Sequence, residues 1–138
     1  MNKINIRVLL GFLMSVVVFH FFIVTKLIPY DIAWGGRIQN DQEMYVFEAL
    51  SIIVNLFLAL ILLMKGNYMK PIFSDRTLNT ILWIYFGMFI LNTVGNIFAK
   101  TNLEKSFAAL TLLFSVLIWN ILRNQGNRDM LPVGKKEI

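Results

Sequence analysis

The hydrophobic residues of this chain fall into four long runs separated by short polar segments. The runs cover residues 8–28, 44–64, 78–98 and 103–122. Each run is close to the ~20 residues that a helix needs to cross ~30 Å of hydrocarbon, and none alternates as a transmembrane β-strand does. Lipid offers the backbone no water to bond, so uninterrupted runs of this kind favour helices. The pattern predicts an all-α, polytopic membrane protein with an up-down four-helix transmembrane bundle.

The segments between the runs predict how the helices are connected. Residues 65–77 and 99–102 are short enough to make consecutive helices antiparallel. The first connection, 29–43, contains Trp34, a Gly-Gly pair and four charged residues. Because Gly-Gly permits a tight reversal and Trp suits the membrane interface, we expect a folded outer loop, with an ordinary interfacial turn as the alternative. Residues 1–123 would then form one domain.

The C-terminal segment differs from the rest of the chain. Residues 124–138 have little apolar content and contain Gly126, Pro132 and Gly134. Chain termini of this composition are usually poorly ordered. We expect a frayed tail.

Lysine and arginine residues predict the orientation of the bundle. Nine lie on the side of the termini and four on the other side. Cytoplasmic segments carry the excess of Lys and Arg, so both termini and the tail are expected in the cytoplasm. The nine are Lys3, Arg7, Lys65, Lys70, Arg76, Arg123, Arg128, Lys135 and Lys136, and the four are Lys26, Arg37, Lys100 and Lys105.

The composition of the chain argues against several kinds of site and partner. Hydrophobic residues make up 57% of the chain, and because its 138 residues are few, we expect no soluble domain beside the helices. There is no cysteine, so disulfide exchange, thiolate catalysis and Cys-ligated metal sites are excluded for this chain. The net charge of +5 is explained by basic residues beside helix ends, so we expect no nucleic-acid partner. One histidine beside one carboxylate is too few ligands for a metal, and we expect no metal and no cofactor.

Several polar side chains lie inside the runs, in the half of the membrane away from the termini. Taking ~1.5 Å per helical residue, Glu48, His20 and Asn92 lie roughly 6, 12 and 9 Å from the outer ends of their helices. An ionisable residue in hydrocarbon is costly enough to indicate a functional site. Helical spacing predicts polar faces that point into the bundle beneath Trp34 and Arg37. On helix 3, Asn92 and Asn96 continue a stripe that begins with Tyr85 and Met88. We expect a pocket with a polar floor that opens toward the outer leaflet. The candidate ligand-binding residues around it are Glu48, His20, Asn92, Asn96, Trp34, Arg37 and Asn55.

Structural roles for the same residues stay open at this point. Glu48 could pair with Arg37 or a lysine near the membrane surface, and His20 could bond a neighbouring backbone or amide group. Asn92 and Asn96 could hold helices together through interhelical hydrogen bonds worth ~0.6–2 kcal/mol.

Two resemblances can be named. The stretches AWGGRI (33–38) and LNTVGNIFAK (91–100), followed by Glu104-Lys105, resemble the hallmark segments of a group of small, uncharacterised four-helix bacterial membrane proteins. This resemblance implies the bacterial inner membrane. Glu48 early in helix 2 and Lys65-Gly66 after it are similar to features of the EXPERA sterol isomerases and lipid-binding receptors. That similarity implies proton chemistry on, or binding of, a lipid-like ligand, with Glu48 as the matching acid.

Two functions follow as hypotheses. In the first, the bundle binds a lipid-like or amphipathic small molecule from the outer leaflet. Glu48 is its charge partner or an acid/base, His20 is the proton partner, and Asn92 and Asn96 orient a polar group. If an enzyme, it would be an EXPERA-like isomerase. In the second, the chain is an accessory or oligomeric channel or transporter subunit, a homo-oligomer whose polar residues line protomer contacts.

Overall fold

The computed structural model describes residues 3–32, 34 and 37–129, with only the backbone for 125–129. It contains four helices: α1 (Lys3–Val24), α2 (Asp41–Lys65), α3 (Asp75–Ile97) and α4 (Asn102–Asp129). A turn of 3-10 helix, Tyr30–Ile32, lies between α1 and α2. No strand occurs in the described ranges.

The four helices close into one bundle. Each helix packs against its neighbour in sequence, most extensively α3 against α4, and α4 returns to pack against α1. All four are long and apolar enough to cross a membrane. The prediction of an all-α fold with four transmembrane helices is confirmed. Below, the inner half of the bundle is the half that contains the start of α1, and the outer half contains the end of α1.

The largest differences from the predicted helix bounds are at both ends of α1, which begins at Lys3 rather than at residue 8, and at the end of α4. α1 ends at Val24 rather than at residue 28, and α4 continues to Asp129, so residues 124–129 are helical rather than a frayed tail. The remainder of the predicted tail, 130–138, lies outside the described residues, as does the Gly35-Gly36 reversal of the outer loop. Apolar content fixed the runs, but hydrogen bonds to the last carbonyls decide where a helix stops.

A Schellman motif ends α1. The amide of Lys26 donates to the carbonyl of Ile23 (2.8 Å), and the amide of Leu27 donates to that of Phe22 (2.9 Å). Lys26 has a φ of 59°, the left-handed conformation that this motif requires. The chain therefore turns out of the helix before the apolar run is finished.

Polar residues begin the other helices. The side chains of Asn40 and Ser74 accept amide hydrogen bonds at the first turns of α2 and α3. At α4, the Glu104 amide donates to the Thr101 hydroxyl oxygen (3.2 Å), while the Glu104 carboxylate accepts from the Thr101 hydroxyl (2.8 Å) and amide (3.4 Å). This capping box accounts locally for a buried carboxylate at the outer end of α4.

The apolar core is concentrated in the inner half. All four helices contribute to it, whereas a second, small cluster lies under the connection between α1 and α2. Between these two clusters the bundle also buries polar groups, Glu48 and Thr93 among them. The outer half is therefore less uniformly apolar inside. The core includes Ile6, Leu9, Leu13, Leu58, Ile61, Leu62, Leu78, Leu82, Tyr85, Phe89, Phe114, Leu117, Ile118 and Ile121; the small cluster is Ile23, Ile38 and Met44.

Candidate functional site

The buried carboxylate of Glu48 is the centre of the site. Its side chain is fully buried, and each oxygen has a partner from a different part of the chain. Oε2 lies 2.6 Å from His20 Nδ1 on α1, and Oε1 accepts a hydrogen bond of 2.6 Å from Trp34 Nε1 in the outer loop. We call these three residues the outer cluster. They join α1, α2 and the connection between them at one point.

His20 reaches Glu48 because it continues the apolar stripe of α1. The buried residues of this stripe are spaced three or four apart, which places them on one helix face, and His20 follows at the same spacing. An imidazole thus occupies a position on the apolar face of α1. The stripe is Ile6, Leu9, Leu13 and Val17, followed by His20.

Trp34 is positioned by turns in the outer loop. Its amide donates to the carbonyl of Tyr30 (3.2 Å), and its own carbonyl accepts from the amide of Arg37 (3.1 Å). The indole ring also packs against Phe47 of α2, with ring centroids 5.2 Å apart. Trp34 therefore closes over Glu48 from the membrane surface side.

The donor and acceptor roles of the atoms in the outer cluster are restricted. Trp34 Nε1 can only donate, so Oε1 of Glu48 accepts in any protonation state. One proton is shared between His20 Nδ1 and Glu48 Oε2. His20 Nε2 makes no hydrogen bond to any described residue, and the His20 side chain is 14% exposed. A carboxylate that orients an imidazole through Nδ1 leaves Nε2 available as a base or ligand, which is how His acts in many proton-transfer sites.

The remaining predicted site residues are not brought to this cluster. Asn55 is half-buried and donates to the carbonyl of Ser51 in its own helix (2.7 Å). Arg37 is exposed and makes no ion pair with Glu48, whose oxygens are taken by His20 and Trp34. The alternative of a Glu48–Arg37 pair is thus replaced by a buried pair with His20.

The prediction that Asn92 faces the bundle interior is wrong. The buried face of α3 is set by Tyr85, Phe89 and Thr93, and Asn92 lies to the side of this face with an exposed side chain. Met88, in the same predicted stripe, is also exposed, and Asn96 is half-buried. Tyr85 is shared by the predicted and the observed stripe, but the apolar ring of Phe89 turned inward in place of Met88 and Asn92.

Sequence reasoning missed two hydrogen bonds between helices. The hydroxyls of Thr93 and Thr111 lie 2.8 Å apart and link α3 to α4. The Tyr85 hydroxyl donates to the carbonyl of Val54 (2.7 Å) and links α3 to α2. Tyr85 belonged to the predicted inward stripe of α3, but neither its partner nor the Thr93–Thr111 contact follows from the spacing of residues within one helix.

Comparisons with models of known protein families, with curated proteins and with solved structures find no match. The resemblances to the four-helix bacterial group and to the EXPERA proteins stay sequence-based expectations. The case for a function depends on the geometry of the outer cluster. No group of three or more metal-ligating side chains is found among the described residues.

Proposed function

We propose that this chain is a multi-pass protein of the bacterial cytoplasmic membrane, with both termini in the cytoplasm. In this proposal it binds a lipid-like or amphipathic small molecule in the outer half of the bundle and exchanges a proton with it. The positive-inside rule supports the orientation, because nine Lys and Arg residues lie on the side of the termini and four on the other side.

The observation that carries the proposal is the burial of Glu48 with both of its oxygens occupied. Enclosing a carboxylate among apolar helices is costly, and hydrophobic residues could fill the same volume. The two carboxylate oxygens of Glu48 bond to His20 and Trp34 and hold these side chains in fixed positions. That arrangement suits a site in which His20 Nε2 contacts the polar group of a ligand and Glu48 supports the imidazole from behind.

The surroundings favour an amphipathic ligand over a fully polar one. Phe47, whose ring packs against Trp34, is exposed, and so is Leu50 on the same helix. In a membrane these surfaces meet acyl chains, so a ligand tail can lie along them while its polar group reaches His20. Proton exchange between His20 and the polar group is also the chemistry that an EXPERA-like isomerase would need.

The proposal is tested by native mass spectrometry of the protein released from membranes. The wild type is expected to retain a small molecule that His20→Gln and Glu48→Gln lose. Glu104→Gln is the matched control, because Glu104 is also a buried carboxylate of the outer half but is held by its own capping box. Equal retention by all four proteins would refute a ligand site at the outer cluster.

Proton exchange has its own measurement. In weakly buffered detergent solution with a pH indicator, adding the released molecule to stripped wild type is expected to change the proton count, and adding it to His20→Gln is not. If the molecule binds to the wild type without any change in the proton count, ligand binding is supported and proton exchange is refuted.

A second function is favoured by one observation, the exposed amide of Asn92 on α3. In lipid, an exposed amide is stabilised by a hydrogen bond to another helix. Gly87 and Gly95 on the same helix have open space where a Cβ would lie, which allows a second helix to approach closely. An oligomeric channel or transporter subunit would use Asn92 between protomers. In the same mass spectra, Asn92→Leu would then lower the protomer count while leaving ligand retention unchanged; a monomeric wild type would refute this function.

A further inference from the structure

A second group of side chains, unrelated to the outer cluster, lies at the inner end of the bundle around Tyr68. Arg7 Nε of α1 donates a hydrogen bond of 2.8 Å to the Tyr68 hydroxyl. The Lys3 ammonium lies 5.7 Å from the centroid of the same ring, and the Arg7 guanidinium carbon lies 6.0 Å from it. We call Lys3, Arg7 and Tyr68 the inner cluster. One aromatic ring thus gathers two cations.

The position of Tyr68 is built into the end of α2. The amide of Asn67 donates to the carbonyl of Met64 (3.1 Å), and the amide of Tyr68 donates to that of Leu63 (2.9 Å). Asn67 has a φ of 57°, so this is a second Schellman motif. It directs the chain back toward α1.

Gly66 leaves the space that the Tyr68 ring occupies. A Cβ at residue 66 would lie 2.5 and 2.6 Å from two atoms of the ring. The residue has an ordinary helical φ of −78°, so its backbone conformation does not require glycine. The glycine is explained by the close approach of the ring.

The charge of the inner cluster is not balanced within the described residues. Neither Lys3 nor Arg7 forms an ion pair there, and both side chains are exposed. The two Nη groups of Arg7 and the Tyr68 hydroxyl proton are therefore left to donate. Two cations held at one ring repel each other, and an anion between them would relieve that repulsion.

We propose that the inner cluster binds the phosphate of an anionic phospholipid in the membrane leaflet on the side of the termini. Lys3 begins α1 and Tyr68 follows α2, so the cluster lies where helices leave the hydrocarbon. The guanidinium fork and the ammonium match phosphate oxygens, and the Tyr68 hydroxyl adds a third donor. Juxtamembrane cations at an anionic leaflet are attracted by its surface potential.

The test is a lipid titration of the full chain in detergent micelles, read by native mass spectrometry. Phosphatidylglycerol is expected to bind more tightly than phosphatidylcholine. Arg7→Gln should weaken phosphatidylglycerol binding about fivefold, the effect of ~1 kcal/mol per cation near a charged surface. Tyr68→Phe keeps the ring and removes only the hydroxyl, so it should weaken binding by a smaller factor, about twofold, in a protein that still folds.

Lys70→Gln is the matched control. It removes one positive charge from the connection that contains Tyr68, but Lys70 is exposed and has no described contact with the Tyr68 ring. Phosphatidylglycerol binding to this variant is expected to stay within twofold of wild type. An equal loss in Lys70→Gln and Arg7→Gln would show diffuse surface charge and overturn the proposal. Displacement of the lipid by millimolar inorganic phosphate would assign the site to a soluble anion and overturn it too.

Discussion

The two clusters of this protein close opposite ends of the same helix pair, and they treat charge in opposite ways. In the outer cluster an aromatic side chain from a connection covers Glu48, which is fully buried and bonded to His20. In the inner cluster an aromatic side chain lies beside two exposed cations, Lys3 and Arg7. The outer cluster encloses charge within the protein, whereas the inner cluster leaves charge open at the membrane surface. The enclosed carboxylate holds His20 and Trp34 in position, whereas the open cations can contact a ligand directly.

This comparison predicts that the largest effect on stability belongs to the outer cluster. Glu48→Leu removes two hydrogen bonds to a charged group and should lower the free energy of unfolding by about 3 kcal/mol. The inner cluster is solvent-exposed, so Arg7→Leu should cost under ~1 kcal/mol. Both values can be measured by denaturant unfolding of the protein in mixed micelles.

A double-mutant cycle identifies the cause of the Glu48 effect. If the pair with His20 carries it, Glu48→Leu and His20→Leu together should cost less than the sum of the single variants, by about 1 kcal/mol or more. Additive costs would mean that the two side chains act independently. The contact between Glu48 and His20 would then not be the cause of the Glu48 effect.

The next effect is expected at the inner end, from Gly66→Ala. The added Cβ would meet the Tyr68 ring, so the ring must move and its contacts with Lys3 and Arg7 weaken. Overpacking of this kind typically costs about 1–3 kcal/mol; we expect the low end, because Tyr68 is 41% exposed and can shift. Unfolding measurements should also show that Tyr68→Ala removes most of the cost of Gly66→Ala, since only the tight contact of 3.2 Å with the Leu62 carbonyl oxygen then remains.

The neighbouring substitution should have the opposite sign. Asn67 has a φ of 57°, where glycine has no steric penalty, so Asn67→Gly is expected to stabilise the protein by a few tenths of a kcal/mol. The same unfolding measurement checks it. Destabilisation by Asn67→Gly would indicate that the Asn67 side chain, rather than its backbone, holds the inner cluster together.

The sequence was sufficient for the fold because the four apolar runs are long and the polar connections short. It placed α2 within three residues of its observed start, at Asp41, and within one residue of its end, at Lys65. It misplaced the end of α1, because Lys26 has no compositional sign of a left-handed conformation. Caps can be predicted where they have a motif, as in Thr101-Asn-Leu-Glu104, and not where they depend on backbone geometry alone.

The candidate site could be predicted only in part, for a different reason. Glu48 and His20 were found because ionisable residues are rare in hydrocarbon, and their rarity is visible in a sequence. The contact with Trp34 depends on the folding of a loop, and the exposure of Asn92 depends on which neighbouring residues are larger. The inner cluster was missed because Arg7 and Tyr68 are 61 residues apart and neither is unusual at a membrane surface.

The smallest effect is expected outside both clusters, at the ion pair that joins the end of α1 to the start of α2. Lys26 Nζ contacts Asp41 Oδ2, and this hydrogen bond raises the pKa of Lys26 above its ordinary 10.5. A raised pKa means that the stabilisation is complete below 10.5 and is lost as the pH rises through the higher folded value. Unfolding measured from pH 9 upward should show this loss in wild type and not in Lys26→Gln, after subtraction of the shared alkaline slope. Both side chains are about half exposed, so the effect should be slight and weaken further in high salt. If the free energy of unfolding of Lys26→Gln has the same pH dependence as that of wild type, this exposed pair contributes nothing to holding the end of α1 against the start of α2. It would then differ from the enclosed pair of Glu48 and His20.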